Sequence, residues 1–168
     1  MNKKTPKPIK ITPHFYQLGT PAFPAYLSLG KDAMIIEGGT GPTYAFIVEQ
    51  IKELEIDPKR IKYVALTHTH FDHIGAVPRL KKLWPHLKLI ASTVGATTLR
   101  NPEILPMFLK IDGDIATIMH GKGEISEIPP KLDEYRFDVD IEVNEGDKID
   151  LGEGITWTVH NTPGHSPC

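Results

Sequence analysis

The sequence predicts a mixed fold of the α/β or α+β class in a single domain. Short apolar runs typical of buried strands alternate with longer segments in which apolar residues recur at helical spacing. A dense group of histidines directly follows one of these strands, where α/β folds often carry their functional loops. The length of 168 residues is sufficient for one hydrophobic core.

The first part of the chain is predicted to form antiparallel strands followed by a helix. Residues 1–11 form an arm containing lysine and proline, whose start we expect to be mobile. Residues 15–18 are strand-like, and the apolar runs 25–29 and 33–37 flank a short turn, which predicts a β-hairpin. Residues 43–55 place their apolar side chains on one helical face and predict the first helix.

The central part continues the alternation of strand and helix. Residues 61–66 are predicted to form a strand, and an apolar stripe after His73 predicts a helix. Pro78 is tolerated only near the beginning of that helix, so the helix begins close to the histidines. Residues 87–91 form the next predicted strand.

The segment 97–130 breaks the alternation. Its prolines and apolar residues predict one or two short helices in an insertion that forms a lid or a substrate wall. A helical hairpin that covers the core is an equally good interpretation. Beyond it, residues 137–143, 148–151 and 155–159 are predicted strands, and the last of them leads into residues 161–168.

Composition and charge narrow the class of protein. The chain is 40% hydrophobic and 24% charged, and its formal net charge of −2 gives no reason to expect nucleic acid or an anionic membrane as a partner. The single cysteine excludes an intrachain disulfide. No apolar run has the length of a secretory signal core or a membrane-spanning helix. We therefore expect a cytoplasmic protein with a small-molecule substrate, and a homodimer is compatible with the sequence.

The loop after the strand at 61–66 is predicted to bind metal. Neutral imidazole is a ligand for zinc and neighbouring first-row metals, and carboxylate oxygen serves harder ions. His68 and His70 are two residues apart, so on an extended segment their side chains point the same way. Asp72 and His73 follow where the backbone turns into a helix, which favours a second ion. A surface loop that is merely rich in histidine is disfavoured by four ligand-type side chains in six positions.

Two segments resemble a known family. Residues 68–73 (HTHFDH) resemble the HxHxDH signature of the metallo-β-lactamase superfamily, and residues 162–167 (TPGHSP) resemble its next motif, TPGHSPG. The resemblance runs from about residue 15 to residue 168 in the same order of elements. It implies a four-layer αββα sandwich, with metals at one edge of the sheets, of which this chain holds the N-terminal part.

The resemblance also implies the ligands. It assigns His68, His70 and His165 to a first metal ion and Asp72 with His73 to a second. A tight turn at a strand end also makes His165 plausible as a third ligand from the sequence alone. Four further histidines are expected at the surface: His14, His86, His120 and His160.

The sequence departs from the family pattern near its last residue. Members continue to a later aspartate that bridges the metals and a later histidine that completes the second site, so we expect a longer protein. Cys168 replaces the second glycine of the motif and is expected to be a bystander thiol. Glu37 occupies the place of a strand-end aspartate that supports the ligands in many relatives, and a buried or capping carboxylate is an equally good interpretation.

The function implied is metal-dependent hydrolysis. Two divalent ions, zinc first and iron or manganese as alternatives, would provide a metal-bound hydroxide that attacks an ester, thioester or lactone carbonyl. Asp72 is then a ligand with a catalytic role in proton transfer. The glyoxalase II-like appearance of the first motif favours thioesters and lactones.

Three alternatives remain open. The same scaffold carries iron-dependent persulfide dioxygenases and phosphodiesterases, and ligand type does not separate iron from zinc. Flavodiiron members usually carry glutamate at position 70, so His70 argues against that class. The non-enzyme alternative is an incomplete, inactive fragment that binds metal.

Overall fold

The protein forms a mixed β-sheet with helices on one face, as described by a computed structural model that covers residues 5–132 and 135–168. The strands of this part of the chain are β1 (Ile9–Thr12), β2 (Phe15–Gly19), β3 (Pro24–Leu29), β4 (Ala33–Ile36), β5 (Ile61–Ala65), β6 (Lys88–Ser92), β7 (Ile141–Val143), β8 (Lys148–Asp150) and β9 (Thr156–Thr158). The helices are α1 (Thr43–Glu53), α2 (Phe71–Ile74), α3 (Val77–Leu83), α4 (Thr93–Leu99) and α5 (Leu105–Gly121), and Pro58–Arg60 form a 3₁₀ turn. The predicted fold class is confirmed.

The order of strands brings the functional loops to one edge of the sheet. β1 to β4 pair consecutively and antiparallel, which confirms the hairpin predicted at 25–37. β4 to β7 then pair in parallel. Because Ile36 of β4 lies beside Ala65 of β5, the loops that follow these two strands begin side by side.

The two faces of the sheet bury different cores. Ile35 and Leu89 pack with the helices, whereas their chain neighbours Met34 and Ile90 pack towards the two-stranded sheet of β8 and β9. The Trp157 indole N–H on β9 donates to the buried Ser28 hydroxyl of β3 at 2.9 Å and ties the two sheets together. One helical layer and two sheets, three layers of the predicted sandwich, are thus formed by the residues described.

The structure corrects the predicted N-terminal arm. Its end belongs to the sheet, because Ile9 of β1 pairs with Gln17 of β2. The start of the arm, predicted to be mobile, lies outside the described residues.

The strand predicted at 137–143 is also wrong in length. The Asp140 carboxylate accepts the Leu89 amide hydrogen bond at 2.7 Å, so the regular ladder begins only at Ile141.

The helical segment at 97–130 also differs from the prediction. It contains one 17-residue helix, α5, in place of one or two short helices. Phe108 on α5 is buried in the main core, which favours the core-covering interpretation, with a single long helix in place of the predicted hairpin. No helix in the described ranges combines the length and apolarity that crossing a membrane requires.

Candidate metal centre

The segment of residues 67–73, which we call the histidine loop, is held at both ends by backbone hydrogen bonds to neighbouring segments. At its start, the Leu66 amide donates to the Ile90 carbonyl at 3.0 Å, which extends the alignment of β5 with β6. At its end, the amides of Gly75 and Ala76 donate to the carbonyls of Gly39 and Gly38 at 2.7 and 3.3 Å. These bonds to another loop end α2 after one turn, since the amides are no longer available to the helix. α2 is therefore a short rigid support for the second half of the loop.

Three imidazoles converge above this edge of the sheet. His68 and His70 precede α2, and His165 arrives on the loop after β9. One ring nitrogen from each of the three lies within 4.8 Å of the others. Their ring centroids are 4.6–5.2 Å apart, and each pair meets nearly edge to face. The structure thus brings together three side chains that the sequence predicts to share an ion.

His68 has the features of a metal ligand. Its Nε2 is buried and has no hydrogen-bond partner in the ranges described. Its Nδ1 lies 3.1 Å from the Thr67 hydroxyl, so a bond in which Nδ1 donates leaves the Nε2 lone pair available. Burial lowers the pKa of His68, and the nearby His73 and His70 lower it further. The neutral form that metal binding needs is therefore favoured.

Asp72 and His73 form a second pair of donors on α2. Asp72 Oδ2 lies 3.6 Å from His73 Nε2, so both atoms face one small region. The rings of His73 and His68 are 3.9 Å apart between centroids, which places this pair beside the three imidazoles. Burial lowers the pKa of His73, but the hydrogen bond and charge of Glu37 outweigh it, and the net pKa is raised.

Glu37 supports both halves of the loop. Its Oε1 accepts the Thr67 amide at 3.0 Å, and its Oε2 accepts from His73 Nδ1 at 2.6 Å. The residue is 5% exposed and has a φ of 71°, a left-handed conformation that costs a non-glycine residue about 1–2 kcal/mol. The two interpretations of Glu37 therefore both hold, because the carboxylate is buried and also orients His73.

The donors present fit divalent metal ions. Three imidazole nitrogens are a common set for zinc that leaves one position open, and a carboxylate with an imidazole supplies two donors for another ion. The buried Nε2 of His68 is the observation that favours metal over a purely hydrogen-bonded cluster.

The remaining predicted residues lie outside the cluster or only touch it. His14, His86, His120 and His160 are all exposed, as expected. Cys168 Sγ lies 3.7 Å from the Thr69 hydroxyl and 3.0 Å from the Ser166 hydroxyl, so its thiol packs against the loop.

Two residues that support the centre, Thr67 and Asp112, are not among those predicted from the sequence. Thr67 adjoins the motif, and its position next to His68 was the available signal. Asp112 falls on the buried face of α5 with Phe108 and Ala116. An acidic residue within an apolar stripe was the signal that could have found it.

The fold and the cluster agree with comparisons to known proteins. Residues 25–168 match the family model of the metallo-beta-lactamase superfamily. The chain belongs to this superfamily. The GOB-18 metallo-beta-lactamase of Elizabethkingia meningoseptica is similar in structure, with a TM-score of 0.72 and 27% identity over 98% of this chain and 54% of that one.

Sequence relatives within the superfamily are functionally diverse. The flavo-diiron protein FprA2 of Clostridium acetobutylicum is 38% identical over 114 residues, which are 66% of this chain and 28% of that protein. The atrochrysone carboxyl ACP thioesterase of Aspergillus terreus is 30% identical over 95 residues, 56% of this chain and 29% of that protein. The chain spans less than a third of these two relatives and about half of the solved structure.

Membership in the superfamily supports metal binding as the general role of the site. Members of the superfamily bind divalent metals, usually zinc, and are mostly metallo-hydrolases. The cluster of His68, His70 and His165 is of the kind that such binding requires.

Proposed function

We propose that the protein carrying this chain is a metal-dependent hydrolase that cleaves an ester, thioester or lactone at its carbonyl. The observation that carries the proposal is the convergence of three imidazole nitrogens within 4.8 Å, with His68 Nε2 buried and unpartnered in the described part of the chain. The relative named as a thioesterase favours an acyl substrate over other substrates of the superfamily.

Each residue of the centre has a proposed role. His68, His70 and His165 would hold the first ion, and Asp72 with His73 would hold the second. A bound divalent ion would supply Lewis acidity and lower the pKa of a bound water to about 7. Asp72 is 36% exposed at its side chain and can accept the proton of the attacking water and pass it to the leaving group. Glu37 keeps His73 Nδ1 occupied, so that Nε2 faces the centre.

The proposal is tested by metal content and hydrolysis in the full-length protein. We expect bound zinc and turnover of p-nitrophenyl acetate and acetyl-coenzyme A, with no turnover of bis-p-nitrophenyl phosphate. His70→Ala removes a ligand, so metal affinity and hydrolysis should both fall by more than about 100-fold. His120→Ala is the matched control, because this exposed histidine on α5 lies outside the cluster. Full metal stoichiometry in H70A would refute the ligand assignment.

Iron-dependent oxygen chemistry is a second candidate. It is favoured by similarity to a relative named as a flavo-diiron protein, whereas histidine at position 70 favours the hydrolase. Purified protein that contains iron and consumes oxygen, without hydrolysing either acyl substrate, would support this second function against the first.

A further inference from the structure

A carboxylate on α5 is buried against the loops that support the metal centre. Asp112 is 2% exposed. Its Oδ1 accepts a hydrogen bond from the Gly41 amide at 2.5 Å, and its Oδ2 lies 3.5 Å from Arg79 Nη1 on α3. Burial raises the pKa of Asp112, and Gly41 and Arg79 oppose this rise. A buried carboxylate is costly to desolvate, so this arrangement requires its partners to stay in place.

Two glycines leave no space around this carboxylate. A Cβ added to Gly41 would lie 2.1 Å from Asp112 Oδ2. A Cβ added to Gly75 would lie 2.4 Å from the Gly41 amide nitrogen and 2.8 Å from Asp112 Oδ1. We call the point where Gly41, Gly75 and the Asp112 carboxylate meet the glycine junction. Two backbone segments and a side-chain carboxylate from a third part of the chain are in close contact there, so a shift in one displaces the others.

The glycine junction is directly connected to the second donor pair. Gly75 follows α2, two residues after His73, and its amide donates to the Gly39 carbonyl at 2.7 Å. The Gly38 amide donates to the His73 carbonyl at 2.6 Å. The loop of residues 38–41 therefore joins the Asp112 carboxylate to the backbone of His73, and the same loop continues from Glu37, which holds the His73 ring.

We propose that Asp112 is a positioning residue for the metal centre, which holds α2 so that Asp72 and His73 address the same ion. The inference rests on the proposed metal centre and adds a residue of α5 to it. It applies to the second ion, because Asp72 and His73 lie on α2, whereas His68 and His165 lie outside it and His70 is at its first boundary. α5 is then a fixed support of the centre, in contrast to the lid or substrate wall that is one of the two predictions from the sequence.

The test compares three variants of α5 in the intact protein. Zinc titration by calorimetry resolves the first and second equivalents, and thermal unfolding is measured beside it. Asp112→Ala should weaken the second equivalent by about 10- to 100-fold, the range found when a group that supports a ligand is removed, and leave the first unchanged. Asp112→Asn should restore the second equivalent, since its amide oxygen can still accept from Gly41. Asp114→Ala is the matched control, because Asp114 is exposed on the same helix and pairs only with Lys110 at 3.1 Å among the described residues.

Several results would overturn the inference. One is an equal loss of zinc affinity for both equivalents in D112A. Another is a lower unfolding temperature of D112A with both zinc affinities intact. A third is loss of the second zinc equivalent in a folded D112N. A wild-type protein that binds only one equivalent would overturn it as well. If D112A does not fold, Asp112→Ser takes its place, because a hydroxyl one bond shorter cannot reach Gly41. A protein that shows the expected titrations but hydrolyses no acyl substrate refutes the proposed function and leaves this inference standing.

Discussion

Replacing Glu37 by glutamine should reverse the tautomer of His73. The carboxylate accepts two hydrogen bonds, from the Thr67 amide at 3.0 Å and from His73 Nδ1 at 2.6 Å. Glutamine has the same shape but only one acceptor oxygen. Since the backbone amide of Thr67 can only donate, the glutamine oxygen must face it, and the glutamine NH₂ then donates to His73 Nδ1. The proton of neutral His73 moves to Nε2, the nitrogen that faces Asp72.

The size of the effect follows from this exchange. With Nε2 protonated, His73 cannot donate a lone pair to an ion unless the new hydrogen bond is broken. A hydrogen bond to a supporting group of this kind is worth about 10- to 100-fold in metal affinity, or about 1.4–2.8 kcal/mol. The loss should fall on the second zinc equivalent. The glutamine oxygen still accepts from the Thr67 amide beside His68, and Glu37 makes no hydrogen bond to the rings of the three first-site histidines among the described residues.

Two measurements test this prediction. Zinc titration of E37Q should show a weakened second equivalent, and nitrogen NMR of the metal-free protein should show His73 protonated at Nε2 in place of Nδ1. Glu145→Gln is the matched control, because Glu145 accepts from His160 Nδ1 at 3.1 Å and from the Asn161 amide at 2.5 Å in an exposed position. An E37Q protein with an unchanged affinity for the second equivalent, or with His73 still protonated at Nδ1, would contradict the role assigned to Glu37.

Two further predictions concern pH and the contact between the sheets. Metal binding needs neutral imidazole. The pKa of His73 is raised and that of His68 is lowered, so His73 becomes protonated first as pH falls. The second ion should therefore be released at a higher pH than the first. In the metal-free protein the raised pKa of His73 means that its protonation stabilises the fold at pH values below 6.5, the usual histidine pKa. This contribution is lost as pH rises through the pKa of His73 in the folded state. Zinc titrations and urea unfolding between pH 5 and 8 check both signs, and simultaneous release of the two ions would contradict the first. Trp157→Phe removes the donor to buried Ser28 and should cost about 1 kcal/mol in urea unfolding. Adding Ser28→Ala should cost less than the sum of the single changes, and strict additivity would show that the bond contributes nothing.

Local pattern was sufficient to predict the histidine loop. A buried strand, a loop and a helix start are properties of neighbouring residues, and the strand at 61–66, the loop and Pro78 at the start of α3 all follow from spacing. The same reasoning failed where side chains compete with the backbone. Asp140 takes the Leu89 amide that a strand partner would otherwise use, and no periodicity records such a bond.

The supports of the metal centre could not be located from spacing because their partners are distant in the chain. Glu37 is hydrogen-bonded to Thr67, 30 positions away, and to His73, 36 positions away. Asp112 is hydrogen-bonded to Gly41, 71 positions away. Resemblance to the family points to Glu37, whereas the sequence places Asp112 only within a helical insertion. The glycines at 41 and 75 could be recognised as breaks in the pattern, but the carboxylate that requires them became visible only in three dimensions.

Glu37 and Asp112 act on α2 in different ways. Glu37 sets which nitrogen of His73 faces the centre, and Asp112 sets where α2 lies relative to the loop of residues 38–41. The two act on different degrees of freedom, one the ring tautomer and one the helix position. Loss of either is therefore enough to weaken the second ion. Their effects on its affinity should depart from additivity, because the loop of residues 38–41 that Asp112 holds continues directly from Glu37. Neither Glu37 nor Asp112 is hydrogen-bonded to the ring of His68, His70 or His165 among the described residues, so we expect these changes to weaken the proposed second ion and spare the first.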